Sequence, residues 1–295
     1  MITNKRIPLK YIVKSTYKDF LIVTIFSFVA FIIHLNIDFF TIPMSISTFL
    51  GTAISLILSF NLSLSYDRWW EARKIWGEIV NDSRALLLQL QTFSPNSNEV
   101  KNKKIKTLAY YQIAWVHTLA LNLRGQNLTQ DVSKYLSDKE NEELKNAHHH
   151  VLKINSFIKN HLHTFEHLNS YEKVQIDTTL MRLVGHLGKA ERIKKTIFPK
   201  EYQLVLHLSI YLFLGFLSFS LANLGHHWEI FLLIIIAAPF FLLEKTATHL
   251  QDPFENKATD VPISLISKNI EINLLELLGE DNLPEPIKEQ GFYVN

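Results

Sequence analysis

Residues 20–37, 39–66 and 202–228 contain no Lys, Arg, Asp or Glu. A helix that crosses a bilayer needs roughly 20 consecutive apolar residues, so each run can supply one. A fourth run, 230–243, has only 14 residues between Glu229 and Glu244. By length alone it fits a buried or re-entrant segment as well as a span.

Charge placement separates the two. Lys5, Arg6, Lys10, Lys14 and Lys18 precede the first run, and Arg68, Arg73 and Lys74 follow the second. Arg192, Lys194, Lys195 and Lys200 precede the third, and Lys245 follows the fourth. The connections around Asp38 and around His226–Glu229 hold neither Lys nor Arg. Four crossings with both termini in the cytoplasm satisfy the positive-inside rule at every end, whereas three leave one end unexplained. Pro239 then kinks the fourth helix. The first run does not read as a cleaved signal peptide, because the next span follows at once with no small-residue cleavage site between them.

The predicted organisation is a cytoplasmic N-terminal segment (1–19), a first transmembrane helix pair (20–66), a cytoplasmic helical region (67–201), a second pair (202–245) and a cytoplasmic tail (246–295). Residues 44–94 and 96–198 lack proline. The second span therefore continues without a break toward the charged SYDRWWEARKIWG stretch, and an unbroken helix over 44–94 would reach about 75 Å. Trp69, Trp70 and Trp76 are read as a headgroup belt, and Asp67, Arg68, Glu71, Arg73 and Lys74 as interfacial anchors and helix pairs. Residues 104–123, 145–162 and 172–193 show helical spacing of apolar residues. SKNIEINLLELLGE reads as an amphipathic helix closed by Gly279.

Thr48, Thr52, Ser55, Ser59 and Ser63 recur at steps of three and four, forming a hydroxyl stripe along the second span. Thr52, Leu56 and Phe60, four apart, form a line beside it. Small residues of this kind also serve helix packing. As a pore wall, the apolar members would gate a water path by dewetting and the hydroxyls would solvate an ion. So few helices cannot enclose a pore, so this reading needs a ring of copies.

The other constellations are weaker. The chain has no Cys, which excludes disulfides and thiolate metal sites, and its 30 basic against 28 acidic residues give no argument for nucleic acid. His148, His149 and His150 are consecutive, and on a helix they would splay apart. His163 and His167 lie one turn apart without an evident third ligand. Asp252, Glu255 and Asp260, with Lys257 among them, do not follow a calcium-loop spacing and read as a solvated turn. P-loop, dinucleotide, HExxH and GxSxG motifs are absent, so no enzyme, cofactor or metal site is expected.

SYDRWWEARKIWGEIVNDSR after the second span, GKAERIKKTIFPKEYQLVLH before the third and HLQDPFENKATDVPIS after the fourth are similar, in order and spacing, to the bestrophin family, especially its bacterial members. The resemblance covers nearly the whole chain. It implies an all-α membrane protein with four transmembrane helices per subunit and a helical cytoplasmic region, assembled as a homopentameric channel for small monovalent ions in the bacterial inner membrane. Its partners would be its own copies, membrane lipid and the permeant ions, chloride or other anions or sodium-like cations. It also implies a narrow neck on the second helix, which counting back from RWW places at Thr52, Leu56 and Phe60, the line already given by spacing; the stripe hydroxyls Thr48, Ser55, Ser59 and Ser63 would then be pore-adjacent. The family usually carries an aliphatic residue where this chain has Thr52. A cytoplasmic aperture is implied near Tyr171. Animal members carry a calcium-binding acidic cluster after the PF motif; PFENKATD has fewer carboxylates, and calcium gating is not carried over. The alternative is a membrane-anchored regulatory or metal-sensing protein using its His-bearing cytoplasmic helices.

Overall fold

The computed structural model describes residues 8–36, 42–94, 99–196, 199–221, 226–288 and 291–294. The connection around Asp38 and the cations Lys5 and Arg6 lie outside them. The described chain is all-α: α1 (Leu9–Asn36), α2 (Met44–Thr92), α3 (Glu99–Leu123), α4 (Gln130–Ser133), α5 (Asp138–Lys145), α6 (His150–Leu162), α7 (Ser170–Lys195), α8 (Lys200–Leu221), α9 (His226–Gln251) and α10 (Ile263–Leu277). Four of them, α1, α2, α8 and α9, are long and apolar enough to cross a membrane.

Contacts divide the chain into two units, Asn4–Trp69 with Ile197–Asp252 and Trp70–Thr196 with Pro253–Asn295. The 49-residue α2 contributes to both.

The first unit has one apolar core fed by all four long helices: Val23 from α1, Ile54 and Leu58 from α2, Leu206, Ile210, Phe213, Leu214, Leu217 and Leu221 from α8, and Leu233, Ala237 and Phe241 from α9. Between helices in lipid the hydrophobic drive is largely absent, so close packing and polar pairs decide the arrangement. α9 runs through Pro239 for 26 residues, about 39 Å and enough to cross. The short apolar run lengthens because its flanking acids are absorbed: Ser218 donates to buried Glu229 at 2.6 Å, and His207 Nδ1 lies 2.9 Å from buried Glu244.

The second unit is built around α3, which packs on α6, α10, α4 and α7. Trp76, Trp115, Phe165 and Phe254 are fully buried in it. Trp76 therefore does not stand in a headgroup belt. It falls on the same helical face as the buried Ala72, Ile75 and Ile79, and this apolar stripe is what takes it inward. Glu71 pairs with Arg192 of α7 at 2.6 Å, a tertiary partner where a neighbour on its own helix was expected.

The periodic stretch at 145–162 is helical as α6 only from His150, since α5 ends at Lys145. His149 accepts from the Leu152 backbone N–H through Nδ1 and so caps α6, while its Nε2 lies 3.0 Å from Glu191. Capping boxes open α5 (Ser137 with Glu140) and α7 (Asn169 with Glu172).

Candidate pore helix

The membrane-grade part of α2 has two unlike faces. Ser47, Ile54, Leu58, Asn61 and Ser65 are buried. At about 100° per residue they cluster within one narrow arc. Thr52, Leu56 and Phe60 fall on the opposite side of the helix and are exposed in the chain, Leu56 at 57% and Phe60 at 60%. Thr48, Ser55, Ser59 and Ser63 are exposed too and flank that line.

The buried face is fixed by specific contacts. Ser47 Oγ and Ser220 Oγ share a buried hydrogen bond of 2.7 Å between α2 and α8. A Cβ on Gly51 would lie 2.9 Å from Phe213 Cε2, so only glycine permits this approach. Asn61 Oδ1 accepts from Gln251 Nε2 at 3.4 Å, Gln251 Oε1 accepts from Gln203, and Arg68 Nε donates to the Gln251 carbonyl at the end of α9. These contacts set which face of α2 is left over. None was visible in the sequence, since the partners stand 48 to 190 positions apart; a glycine inside a span was the one available signal.

On the exposed face, the Thr48, Thr52 and Ser55 hydroxyls donate to the carbonyls of Met44, Thr48 and Gly51 at 2.9, 2.8 and 2.7 Å. Their protons are spent within the helix, and the oxygens present lone pairs outward. The exposed face of the charge-free part of α1, over 20–33, differs: Leu21, Ile22, Ile25, Phe28, Val29 and Ile32 are apolar, with Thr24 as the polar exception.

The remaining candidates fall elsewhere. Tyr171, in the first turn of α7, is 89% exposed, and the exposed Val174 and Met181 continue its stripe. Further along, α7 is tied to α2 within the second unit: Arg182 makes a two-pronged contact with Asp82 at 2.8 to 3.2 Å, and His186 Nε2 lies 2.9 Å from the same carboxylate. The histidine triplet stands at the start of α6 rather than inside a helix, and His167 Nε2 lies 2.7 Å from Ser94 Oγ. Among the described residues, no three His, Asp or Glu side chains converge as metal ligands. The Pro253–Pro262 turn is solvated only in part: Glu255 and Asn256 are exposed, whereas Phe254, Ala258, Asp260 and Val261 are buried. It folds inward because Val261 donates back to the Pro253 carbonyl and Asp260 accepts from the Lys257 N–H at 3.0 Å.

The chain matches the family profile described as Bacterial/Fungal Bestrophin protein over residues 7–276. It is 31% identical over 263 residues to the Voltage-dependent anion channel-forming protein YneE of Escherichia coli K12, covering 88% of this chain and 84% of that one. It is 30% identical over 247 residues to the Synechocystis protein sll1024, which bears the same description, covering 81% and 79%. A bacterial bestrophin homolog from Klebsiella pneumoniae superposes with a TM-score of 0.82 at 27% identity, over 89% of this chain and 98% of that one. With a profile match across nearly its whole length and relatives of this similarity, the chain is an integral membrane protein of the bestrophin family.

Proposed function

We propose that the protein is an ion channel of the bacterial inner membrane in which five copies surround a shared axis, each turning the exposed face of α2 toward it. Thr52, Leu56 and Phe60 then form three stacked rings, the neck, and Thr48, Ser55, Ser59 and Ser63 line the path beside them. The observation that carries this reading is the two-faced α2. Its packed side is held by Gly51, Ser47 and Asn61, while the opposite side mixes hydroxyls with large apolar groups. Acyl chains suit the exposed face of α1; a face with five hydroxyls suits water and ions better. In this reading both termini and the 67–201 and 246–295 segments lie on the cytoplasmic side, which the distribution of Lys and Arg supports. Tyr171 is proposed as a second ring on that side.

Names of the relatives favour anions, and chloride is our first assignment. A second reading, monovalent cations, has one observation behind it: the hydroxyl protons on the exposed face are already donated to the helix, leaving acceptor oxygens. Reversal potentials across a planar bilayer with asymmetric sodium chloride decide between them. A potential near the chloride equilibrium value supports the first and one near the sodium value the second. Absence of any protein-dependent current contradicts both.

A further inference from the structure

A cavity of about 220 Å3 lies between the end of α3 and the start of α10, lined by His117 of α3, Arg124 just after that helix, Gln126, Thr129 and Asp131 of the following segment, Ser264 and Lys268 of α10, and Ile287. We propose that it binds a small oxyanion, a phosphate or carboxylate group, with Arg124 as the principal contact.

Arg124 uses only part of its donor set. Nη1 donates to Ser264 Oγ, while Nε and Nη2 have no hydrogen-bond partner. Those two N–H groups form the edge of the guanidinium that grips a carboxylate or phosphate with two parallel bonds. Burial draws the Arg124 pKa down, and the nearby Asp260 partly opposes this. Ser264 stands in the first turn of a 15-residue helix whose N-cap position, Pro262, supplies no side-chain cap. The Ile263 N–H donates to the Val261 carbonyl at 2.8 Å, and the positive end of the helix dipole favours an anion at that point.

Lys268 stands one turn further along the same wall, its ammonium 3.0 Å from Glu271. Asp131 is the acidic residue of the lining, and Lys134 lies 3.2 Å from it. Gln126 and Thr129 add uncharged polar groups. The volume suits a phosphate or a small dicarboxylate, given that a water's share of liquid is about 30 Å3. The unpaired edge is itself closed to solvent. The anion therefore seats first against Ser264 and Lys268, and a rotation of the guanidinium away from Ser264 presents the edge to it.

The test is calorimetric titration of the purified full-length protein with inorganic phosphate and, separately, with succinate. Saturable binding of either probe, one per chain, is expected, and the probe that binds identifies the source of the oxyanion. Arg124→Gln should weaken it at least tenfold. Lys288→Gln, at an exposed lysine outside the lining, should leave it unchanged. Should Arg124→Gln fail to fold, Ser264→Asp replaces it: the new carboxylate caps α10 and occupies the guanidinium, so a folded protein should lose the anion. Wild-type protein that binds neither probe overturns the proposal. So does retention of binding by Ser264→Asp, or an equal loss in Lys288→Gln, which would mark diffuse screening.

Discussion

Gly51 of α2 and Phe213 of α8 approach so closely that a methyl group at position 51 would stand 2.9 Å from the ring. The ring cannot easily withdraw, since Phe213 is buried and its centroid lies 5.1 Å from that of Phe240. Gly51→Ala should therefore destabilise, the overpacking of roughly 1–3 kcal/mol outweighing the roughly 0.5–1 kcal/mol gained from helix propensity. Thermal unfolding in detergent measures it. Phe213→Leu in the same chain should restore most of the loss, and a Gly51→Ala variant as stable as the wild type would show that the contact does not constrain α2.

Glu271 is fully buried and accepts from His117 at 2.8 Å, Tyr135 at 2.5 Å and Lys134 at 3.0 Å, with the Lys268 ammonium also at 3.0 Å. Burial alone would raise its pKa; the hydrogen bonds outweigh burial and hold the carboxyl well below its usual range. A group depressed in the folded state stabilises above its unfolded value, about 4.3, and that contribution is lost as pH falls below it toward the folded value. Glu271→Gln should cost about 3–5 kcal/mol at pH 7, because three basic side chains lose their partner. It should also flatten the fall in stability between pH 5 and 3. Equal acid slopes for the two proteins in unfolding measurements would contradict this.

Gln251 and Asn61 meet at 3.4 Å in the interior of the first unit. Hydrogen bonds between membrane helices couple weakly, about 0.6 kcal/mol on average. A double-mutant cycle of Asn61→Leu and Gln251→Leu should return a coupling of that size. A value near zero would mean that Arg68 and Gln203 alone hold the end of α9.

The natural chain has no Cys, so single-cysteine variants need no prior substitutions. In Leu56→Cys, a charged methanethiosulfonate added from water should block conduction irreversibly. Leu208→Cys, on an exposed apolar part of α8, should conduct as before under the same reagent. Unaltered current in modified Leu56→Cys would remove that side chain from the ion path.

The four long helices were legible because charge-free runs and cation placement reflect the cost of moving charge into lipid. The shared line of Thr52, Leu56 and Phe60 was legible because helical periodicity alone puts steps of four on one side. The contacts that choose the packed side were not. Ser47 with Ser220 and Gly51 with Phe213 join positions more than 160 apart, and nothing local marks such pairs. The break before α6 was hidden for the opposite reason: apolar spacing continued through it, and histidine is not a usual cap. Asp260 read as a surface acid because its burial depends on the backbone N–H of Lys257 and on the apolar neighbours Phe254 and Val261. The Ser137–Glu140 box was present in the letters and would have located α5.

Single-particle imaging of the assembled protein in lipid nanodiscs tests the central claim most directly. The account predicts a closed fivefold ring in which Thr52, Leu56 and Phe60 are the α2 side chains nearest the axis. A monomer, an open array, or a ring in which Leu56 and Phe60 contact acyl chains would contradict it.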